Sequence, residues 1–348
     1  MLSGIELSRG FFDDVVRPLA DAAVGADHYA AALIGPGSEV LGYDDETSAD
    51  HDWGPRVQLF ISSDEEWDAM QPVREALPET YAGHSLGFGG AHGGAPWIHA
   101  LDVVSVGGMG HAWIGFDPLE PVDLVDWLSA PSNGLLMLTA GAVFHDGTGD
   151  LTAARHRIAW YPDDLWRWLL GCQWRRIGQE QAFVARTAEL GDDLGSQMIA
   201  SRLVRDCIRL AFLIDRRHAP YSKWLGRAFA ELPSSRTAAP AVARAQLASD
   251  PRDRQAALCD AYEALGLATL GTGLVADIDP ARRPFHEREI VVGPADDFAN
   301  ALLAGVQDER LRRLRPHGAI DQVMDSTDAD WHLGRPLYTA LLAPSRDL

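Results

Sequence analysis

Lysine is almost absent from this chain of 348 residues, because Lys223 is the single lysine and every other permanent positive charge belongs to arginine. Positive charge is also in deficit, since 30 Lys and Arg face 50 Asp and Glu and the formal net charge is −20. A protein that grips a nucleic-acid backbone needs clustered basic residues to displace counterions. The composition therefore argues against a nucleic-acid partner. An acidic cleft would instead attract a cationic small molecule, unless the acidity serves only solubility.

The chain is also poor in cysteine and lacks long apolar runs. Cys172, Cys207 and Cys259 are odd in number and widely spaced, which argues against a disulfide framework or a metal-binding pair. We expect them to be buried thiols in a reducing compartment. No apolar stretch approaches the length of a membrane span, and acids such as Glu6 interrupt the first residues. These absences predict a cytoplasmic protein with neither a membrane segment nor a secretory signal.

Hydrophobic periodicity divides the chain into two parts, and its length is sufficient for two domains. Strand-like apolar segments alternate with helical patterns in the first part, beginning with a helix from Glu6 to Ala23. Helical periodicity dominates the second part, where Ser234 to Pro240 is typical of an exposed linker. The sequence thus predicts an α+β protein, with a small sheet domain flanked by helices over residues 1–150 and an all-α helical bundle over residues 151–348.

Two acids and a later third one form the most informative pattern. Asp50 and Asp52 are separated by one residue, so in an extended strand both side chains would face the same side. Mg²⁺ usually takes one or two carboxylates and completes its octahedral shell with water and phosphate oxygens. Asp102 interrupts an apolar stretch that otherwise predicts a buried strand. A third carboxylate on a neighbouring strand would allow a second ion to bind.

A glycine-serine turn precedes this acid pair by eleven residues. Gly37 and Ser38 follow an apolar strand-like segment and precede a short helix-like stretch. A strand, a turn of small residues and a helix start together offer backbone N–H groups to a phosphate. Such turns and solvated acid pairs are each common, and an acid like Asp102 often pairs with arginine. The order of all the parts, however, favours a two-metal phosphoryl-transfer site.

These residues resemble the signature of the DNA polymerase β type nucleotidyltransferase superfamily, which includes kanamycin nucleotidyltransferase. The likeness covers Gly37-Ser38, Asp50-x-Asp52 and Asp102, about the first third of the chain. It implies that Asp50, Asp52 and Asp102 hold two Mg²⁺ ions and carry catalysis. The implied reaction moves a nucleoside monophosphate from ATP or another nucleoside triphosphate to a hydroxyl of a small-molecule acceptor, releasing pyrophosphate. Later segments are similar to an uncharacterised helical domain that often follows such catalytic domains in bacteria.

Two departures from the superfamily pattern bear on activity. His51 replaces the aliphatic residue that normally lies between the two acids, and Gly54-Pro55 should bulge or break the strand that follows. Three alternatives therefore stay open. The chain could modify a protein side chain by AMPylation, act as an antitoxin-type nucleotidyltransferase, or be a degenerate nucleotide-binding regulatory protein.

The second part of the chain offers further candidate contacts. Lys223 carries a compact ammonium that suits phosphates, although codon drift from lysine to arginine would also leave a single lysine by chance. We expect Lys223 and Tyr221 to contact the nucleotide. Glu180 is a candidate contact for the acceptor, or else part of a solvated helix end. Arg202, Asp206 and Arg209 recur every three or four residues, which predicts either a surface ladder of ion pairs or a positive strip facing the nucleotide.

Overall fold

The computed structural model describes residues 2–50, 53–88, 98–324, 326–327 and 330–343, with the backbone alone for residues 49, 50, 88, 98 and 99. Helices make up 59% of the described residues and strands 8%, so the predicted α+β class is confirmed. No helix in the described ranges is long and apolar enough to cross a membrane. The chain forms two compact units, Met1–Asp126 with Gly134–Ala159 and Trp127–Asn133 with Trp160–Leu348.

The first unit contains short helices around strands. Its helices, two of which extend into the segment 127–133, are α1 (Gly4–Phe11), α2 (Arg17–Ala23), α3 (Asp64–Ala69), α4 (Gln71–Glu75), α5 (Val106–Ile114), α6 (Leu124–Ser129), α7 (Ser132–Thr139) and α8 (Asp150–Arg157). Its strands are β1 (Ala30–Leu33), β2 (Val57–Phe60), β3 (Thr80–Tyr81), β4 (His84–Ser85), β5 (Gly87–Phe88), β6 (Ile98–His99), β7 (Leu101–Val104) and β8 (Ala142–Asp146).

Four of these strands form a mixed sheet in the order β7-β2-β1-β8. Strand β1 is antiparallel to both β2 and β8, whereas β2 and β7 are parallel. In the β2–β7 pair, Val57 lies opposite Leu101 and Gln58 lies opposite Asp102. Because β1 and β2 are antiparallel, the end of β1 lies beside the start of β2.

One face of the sheet packs against the opening helices. Phe11, Phe12 and Val16 are fully buried in the same apolar cluster as Leu59 and Val103. The predicted opening helix is confirmed, although a π-helical turn over Phe12–Val16 separates α1 from α2. Pro18 follows this turn and cannot donate a backbone N–H, and a wider helical turn is one way to accommodate a proline.

The second unit is mainly helical. Its described helices are α9 (Asp163–Glu180), α10 (Phe183–Glu189), α11 (Asp193–Ile214), α12 (Ser222–Ala230), α13 (Ser235–Leu247), α14 (Pro251–Gly271), α15 (Ala295–Ala304), α16 (Glu309–Arg313), α17 (Ile320–Val323) and α18 (Trp331–Leu342). Two short antiparallel strands, β9 (Arg283–Pro284) and β10 (Val291–Val292), accompany them.

Helix α9 lies at the centre of this unit, packed against α11 and α15. Its Trp174 is fully buried, stacks on Phe298 with ring centroids 4.8 Å apart and donates its indole N–H to Thr269 Oγ1 at 3.1 Å. Burial of such a ring stabilises the bundle only because its polar N–H is satisfied. The three cysteines are free and buried, as predicted.

The division between the units differs in detail from the predicted domains. The boundary expected near residue 150 falls at the start of α8, which stays with the first unit. The second unit instead begins at Trp160 and includes Trp127–Asn133. The segment Ser234 to Pro240, expected to be an exposed linker, is largely the first half of α13. Ser234 is buried there, and both its N–H and its hydroxyl donate to Asp215 Oδ2.

Candidate functional site

The turn after β1 is fixed by a glutamine from the neighbouring strand. Gln58 is buried, accepts the backbone N–H of Ile34 at 3.0 Å and donates to the carbonyl of Ile34 at 3.2 Å. These bonds take the place of strand pairing at the point where β1 ends. The chain then turns through Gly35 (φ +99°) and Gly37 (φ +136°) into the short 3₁₀ helix Glu39–Leu41. We call residues 35–38 the glycine turn.

A buried ion pair supports the glycine turn. Glu39 is almost completely buried, and its carboxylate contacts the Arg56 guanidinium, which also donates to the Pro36 carbonyl at 3.1 Å. A Cβ atom on Gly37 would lie 2.5 Å from Glu39 Oε1 and 2.7 Å from Arg56 Nη2. Gly37 is therefore required both by its backbone angle and by the close approach of these charges.

Ser38 begins the 3₁₀ helix with its backbone but does not cap it with its side chain. Its carbonyl accepts the N–H groups of Leu41 at 3.2 Å and Tyr43 at 2.8 Å. Gly37 is exposed and Ser38 half-buried, so both predicted phosphate contacts lie at the surface of the unit.

Asp102 lies on β7, as expected, but its side chain is exposed, so the expectation that it is a buried acid was wrong. It is opposite Gln58 on the parallel strand β2, and paired residues of neighbouring strands share a face of the sheet. Val57 and Leu101 alternate with them and point into the apolar core. Asp102 thus lies on the face away from that core, at the same end of the sheet as the glycine turn.

The predicted D-x-D strand is wrong at Asp50, which ends a 3₁₀ helix from Glu46. Strand β2 begins at Val57, after Pro55, because proline cannot donate to a strand ladder. The side chain of Asp50 and all of His51 and Asp52 lie outside the described residues. Within the described ranges, no group of three His, Cys, Asp or Glu side chains could hold a metal ion.

The chain on both sides of residues 51–52 is anchored to α1. Asp44 Oδ2 accepts the N–H of Gly4 at 2.7 Å and the indole N–H of Trp53 at 3.1 Å. The backbone N–H of Arg56 donates to Ser8 Oγ at 3.1 Å. These bonds hold Asp44, Trp53 and Arg56 beside α1, and Arg56 directly precedes β2 in the chain.

The candidate contacts of the second unit lie on separate elements. Lys223 is exposed on α12, with its Nζ 4.9 Å from the ring centroid of Trp224. Tyr221 is exposed just before that helix, and its backbone N–H donates to Asn133 Oδ1 at 3.1 Å. Glu180 ends α9 and forms an ion pair with Arg202 at 3.1 Å, so its carboxylate already has a cationic partner.

The second unit also contains a cavity that sequence reasoning did not identify. Its volume is about 90 Å³. Aromatic and arginine side chains face it together: its lining includes Trp160, Tyr161, Phe212, Tyr221, Arg205, Arg209, Arg217 and Asp321. We call it the arginine cavity. The spacing of Arg202, Arg205 and Arg209 along α11 was the available signal, but Arg217 and Asp321 join them only through the fold.

Asp321 connects the walls of the arginine cavity. Its Oδ2 accepts the backbone N–H of Ser132 at 2.7 Å, and Ser132 Oγ accepts the N–H of Ala219 at 2.6 Å. Burial raises the pKa of Asp321 above its usual value, against the opposing charges of Arg209 and Arg205 and the Ser132 hydrogen bond. Burial also raises the pKa of Tyr161, and the charge of Asp321 raises it further. One wall thus combines a carboxylate with arginines and a phenol.

The comparison with known families concerns a range that begins in α6 and ends in α12, and it includes Gly134–Ala159 of the first unit. Residues 127–225 match a family described as a domain of unknown function (DUF4037). No curated protein matches the chain. The matched range includes Tyr161, Arg205 and Arg209 of the arginine cavity, and excludes Asp102. It therefore adds no information on the chemistry at the end of the sheet.

Proposed function

We propose that this protein is a Mg²⁺-dependent nucleotidyltransferase that moves a nucleoside monophosphate from ATP or another nucleoside triphosphate to a hydroxyl of a small acceptor. One observation carries the proposal. The glycine turn, the start of β2 and Asp102 meet at one end of a mixed sheet, although 63 residues lie between Ser38 and Asp102 in the chain. Residues 53–56, which follow the Asp50-x-Asp52 pair in the sequence, lead into that same end.

Two described features are compatible with parts of such a site, one carboxylate and one backbone turn. Asp102 presents an exposed carboxylate on the face of the sheet away from the core, and Gly37 brings backbone close to the surface where a side chain would not fit. Asp102 would hold the metal together with Asp50 and Asp52, which the resemblance supplies. Bound Mg²⁺ would neutralise charge on the phosphates and lower the pKa of the attacking hydroxyl.

The remaining candidate residues are proposed to contact the nucleotide or the acceptor. Gly37 and Ser38 would contact the phosphates through the backbone of the glycine turn, and Tyr221 and Lys223 remain proposed nucleotide contacts from the helical unit. Glu180 is a weaker acceptor contact than the sequence indicated, because Arg202 already neutralises its carboxylate.

Matched carboxylate variants test the proposal. Asp50→Asn and Asp102→Asn should each lower Mg²⁺-dependent pyrophosphate release by more than about 100-fold, because each removes a charged metal ligand. Asp68→Asn, which changes an exposed acid on α3, is the control and should leave turnover unchanged. The assay uses a panel of hydroxyl-bearing acceptors, with labelled nucleotide to detect transfer to protein. Unchanged turnover in Asp50→Asn or Asp102→Asn would contradict the proposal.

The strand break favours one second candidate, a nucleotide-binding protein without transfer activity. Asp50 lies in a 3₁₀ helix and Pro55 delays β2, so the acids do not share the extended strand that the superfamily pattern requires. Calorimetry with Mg²⁺ and each nucleoside triphosphate separates the two functions. Saturable binding that depends on Asp102, without pyrophosphate release for any small or protein acceptor, would establish the binding function.

A further inference from the structure

Positive charge is concentrated at one place in the helical unit of a chain whose net charge is −20. Arg205 and Arg209 line the arginine cavity and also a smaller adjoining cavity. Arg176 and Arg202 line the smaller one, and Arg217 lines the larger. This positive character is opposite to the acidic cleft that the net charge suggested for a cationic acceptor.

Arginines outnumber acids in the lining, although Arg202 also pairs with Glu180 outside it. Asp206 accepts a hydrogen bond from Arg176 Nε at 2.8 Å and another from Gln173 Nε2 at 3.1 Å. Asp321 accepts the Ser132 N–H, as described above. The described lining of the two cavities therefore holds five arginines and two aspartates. Burial and the nearby charges of Arg209 and Arg176 lower the pKa of Arg205, against the opposing charges of Asp206 and Asp321.

The aromatic residues of the lining suit a planar ring. The rings of Trp160 and Tyr161 lie with centroids 4.9 Å apart, and Trp160 is 5.0 Å from the ring of His218. Among the residues that the structure describes, the buried Nε1 of Trp160 has no hydrogen-bond partner. A buried indole N–H usually has one, and a ligand oxygen would supply it.

We propose that the arginine cavity binds a small organic anion, in which a phosphate or carboxylate contacts Arg205 and Arg209 and a planar ring lies against Trp160 and Tyr161. Guanidinium groups recognise both kinds of anion through paired N–H donors. The inference does not rest on the transferase proposal.

Four ligands with one ring and different charges test the inference on the full chain. Phenyl phosphate contains a phosphate and benzoate a carboxylate, whereas benzyl alcohol is neutral and benzylamine is cationic. Calorimetry should show saturable binding of at least one anion, and this binding should weaken as salt rises from about 50 to about 500 mM because ions screen the charges. The same anion should raise Tm. Benzyl alcohol and benzylamine should bind at least about tenfold more weakly.

Variants locate the binding. Arg209→Gln and Arg205→Gln should each weaken binding of the anion by at least about tenfold, whereas Arg209→Lys should retain part of the affinity. Arg312→Gln removes the same charge from an exposed site on α16 and should change affinity less than about twofold. Circular dichroism checks that each variant is folded. Trp160→Phe keeps a ring but removes the N–H, so it should weaken binding of the anion moderately.

Three results would overturn the inference. The first is the absence of saturable binding by both anions in the folded wild type. The second is benzylamine binding as tightly as the anions. The third is ATP binding that Arg209→Gln abolishes while neither ring anion binds, because the cavity would then belong to the nucleotide.

Discussion

Arg56 and Glu39 form a buried ion pair beside Gly37, and the same guanidinium donates to the Pro36 carbonyl. The glycine turn is thus held by opposite charges from two parts of the chain, since Glu39 directly follows the turn and Arg56 directly precedes β2. The pair joins the end of β1 to the start of β2. Any ligand of the turn would meet a backbone whose shape depends on these two side chains.

Breaking this ion pair on one side should destabilise the first unit strongly. Arg56→Met leaves the Glu39 carboxylate buried without its cation, and removal of one partner of a buried pair costs about 3–5 kcal/mol. The double variant Arg56→Met/Glu39→Leu should recover a large part of that loss, because no buried charge remains. Urea unfolding followed by circular dichroism measures both. A double variant no more stable than Arg56→Met would show that the pair contributes through shape rather than charge.

Replacement of Gly37 should be costly for two separable reasons. Gly37→Ala introduces a Cβ atom into contact with Glu39 and Arg56 and also forces alanine to a φ of +136°. Gly42→Ala is the matched control, since Gly42 has a φ of +70° and open space around its Cα. We expect a loss of about 1 kcal/mol for Gly42→Ala and about 3 kcal/mol for Gly37→Ala. Equal losses in the same unfolding assay would mean that the close approach of the ion pair has no energetic effect.

The local parts of the candidate site were predictable from the sequence. The strand before Gly37 and the strand around Asp102 follow from short apolar segments, and the turn follows from glycine. The end of the sheet where they meet was predictable only in outline, because its position depends on the pairing of Gln58 with Asp102.

Other parts depend on contacts that no local pattern carries. Asp50 adopts a 3₁₀ helix because β2 cannot begin before Pro55, whereas the alternation of acids favoured a strand. Pro240 lies inside α13 rather than in a linker, since hydrogen bonds from Ser234 to Asp215 hold the chain there. The arginine cavity combines α11 with Asp321, more than 100 residues later in the chain.

Loss of the Gln58 side-chain amide should destabilise the end of β1. Gln58→Leu keeps an apolar side chain of similar size but leaves the N–H and C=O of Ile34 without the partners that they have in the wild type. Each unsatisfied buried group costs about 1–3 kcal/mol, so a total loss of about 2–4 kcal/mol is expected. Gln71→Leu, on the exposed surface of α4, should change stability by less than about 0.5 kcal/mol. A loss below about 1 kcal/mol in Gln58→Leu, which is the net value of one hydrogen bond, would show that water or backbone replaces the amide.

The raised pKa of Asp321 predicts how stability varies with pH. In the range between the usual pKa of an aspartate and the raised value, the folded protein keeps a proton that the unfolded chain has lost. An increase in pH removes that proton and lowers the free energy of unfolding until the pH exceeds the raised pKa. Asp321→Asn has no carboxyl proton at this position, so its stability should not fall with pH for this reason. The side-chain carbonyl of the asparagine can still accept the Ser132 N–H.

The Tm of the wild type and of Asp321→Asn, measured from about pH 4 upward, should therefore diverge in one direction. The Tm of Asp321→Asn minus the Tm of the wild type should increase as pH rises and become constant above the raised pKa. Asp253→Asn, an exposed acid of the same unit, should give no such shift. A shift in favour of the wild type with rising pH would mean that Arg205 and Arg209 outweigh burial and lower the pKa of Asp321. Asp321 would then be an ionised partner of these arginines, and its charge would oppose an anion in the cavity.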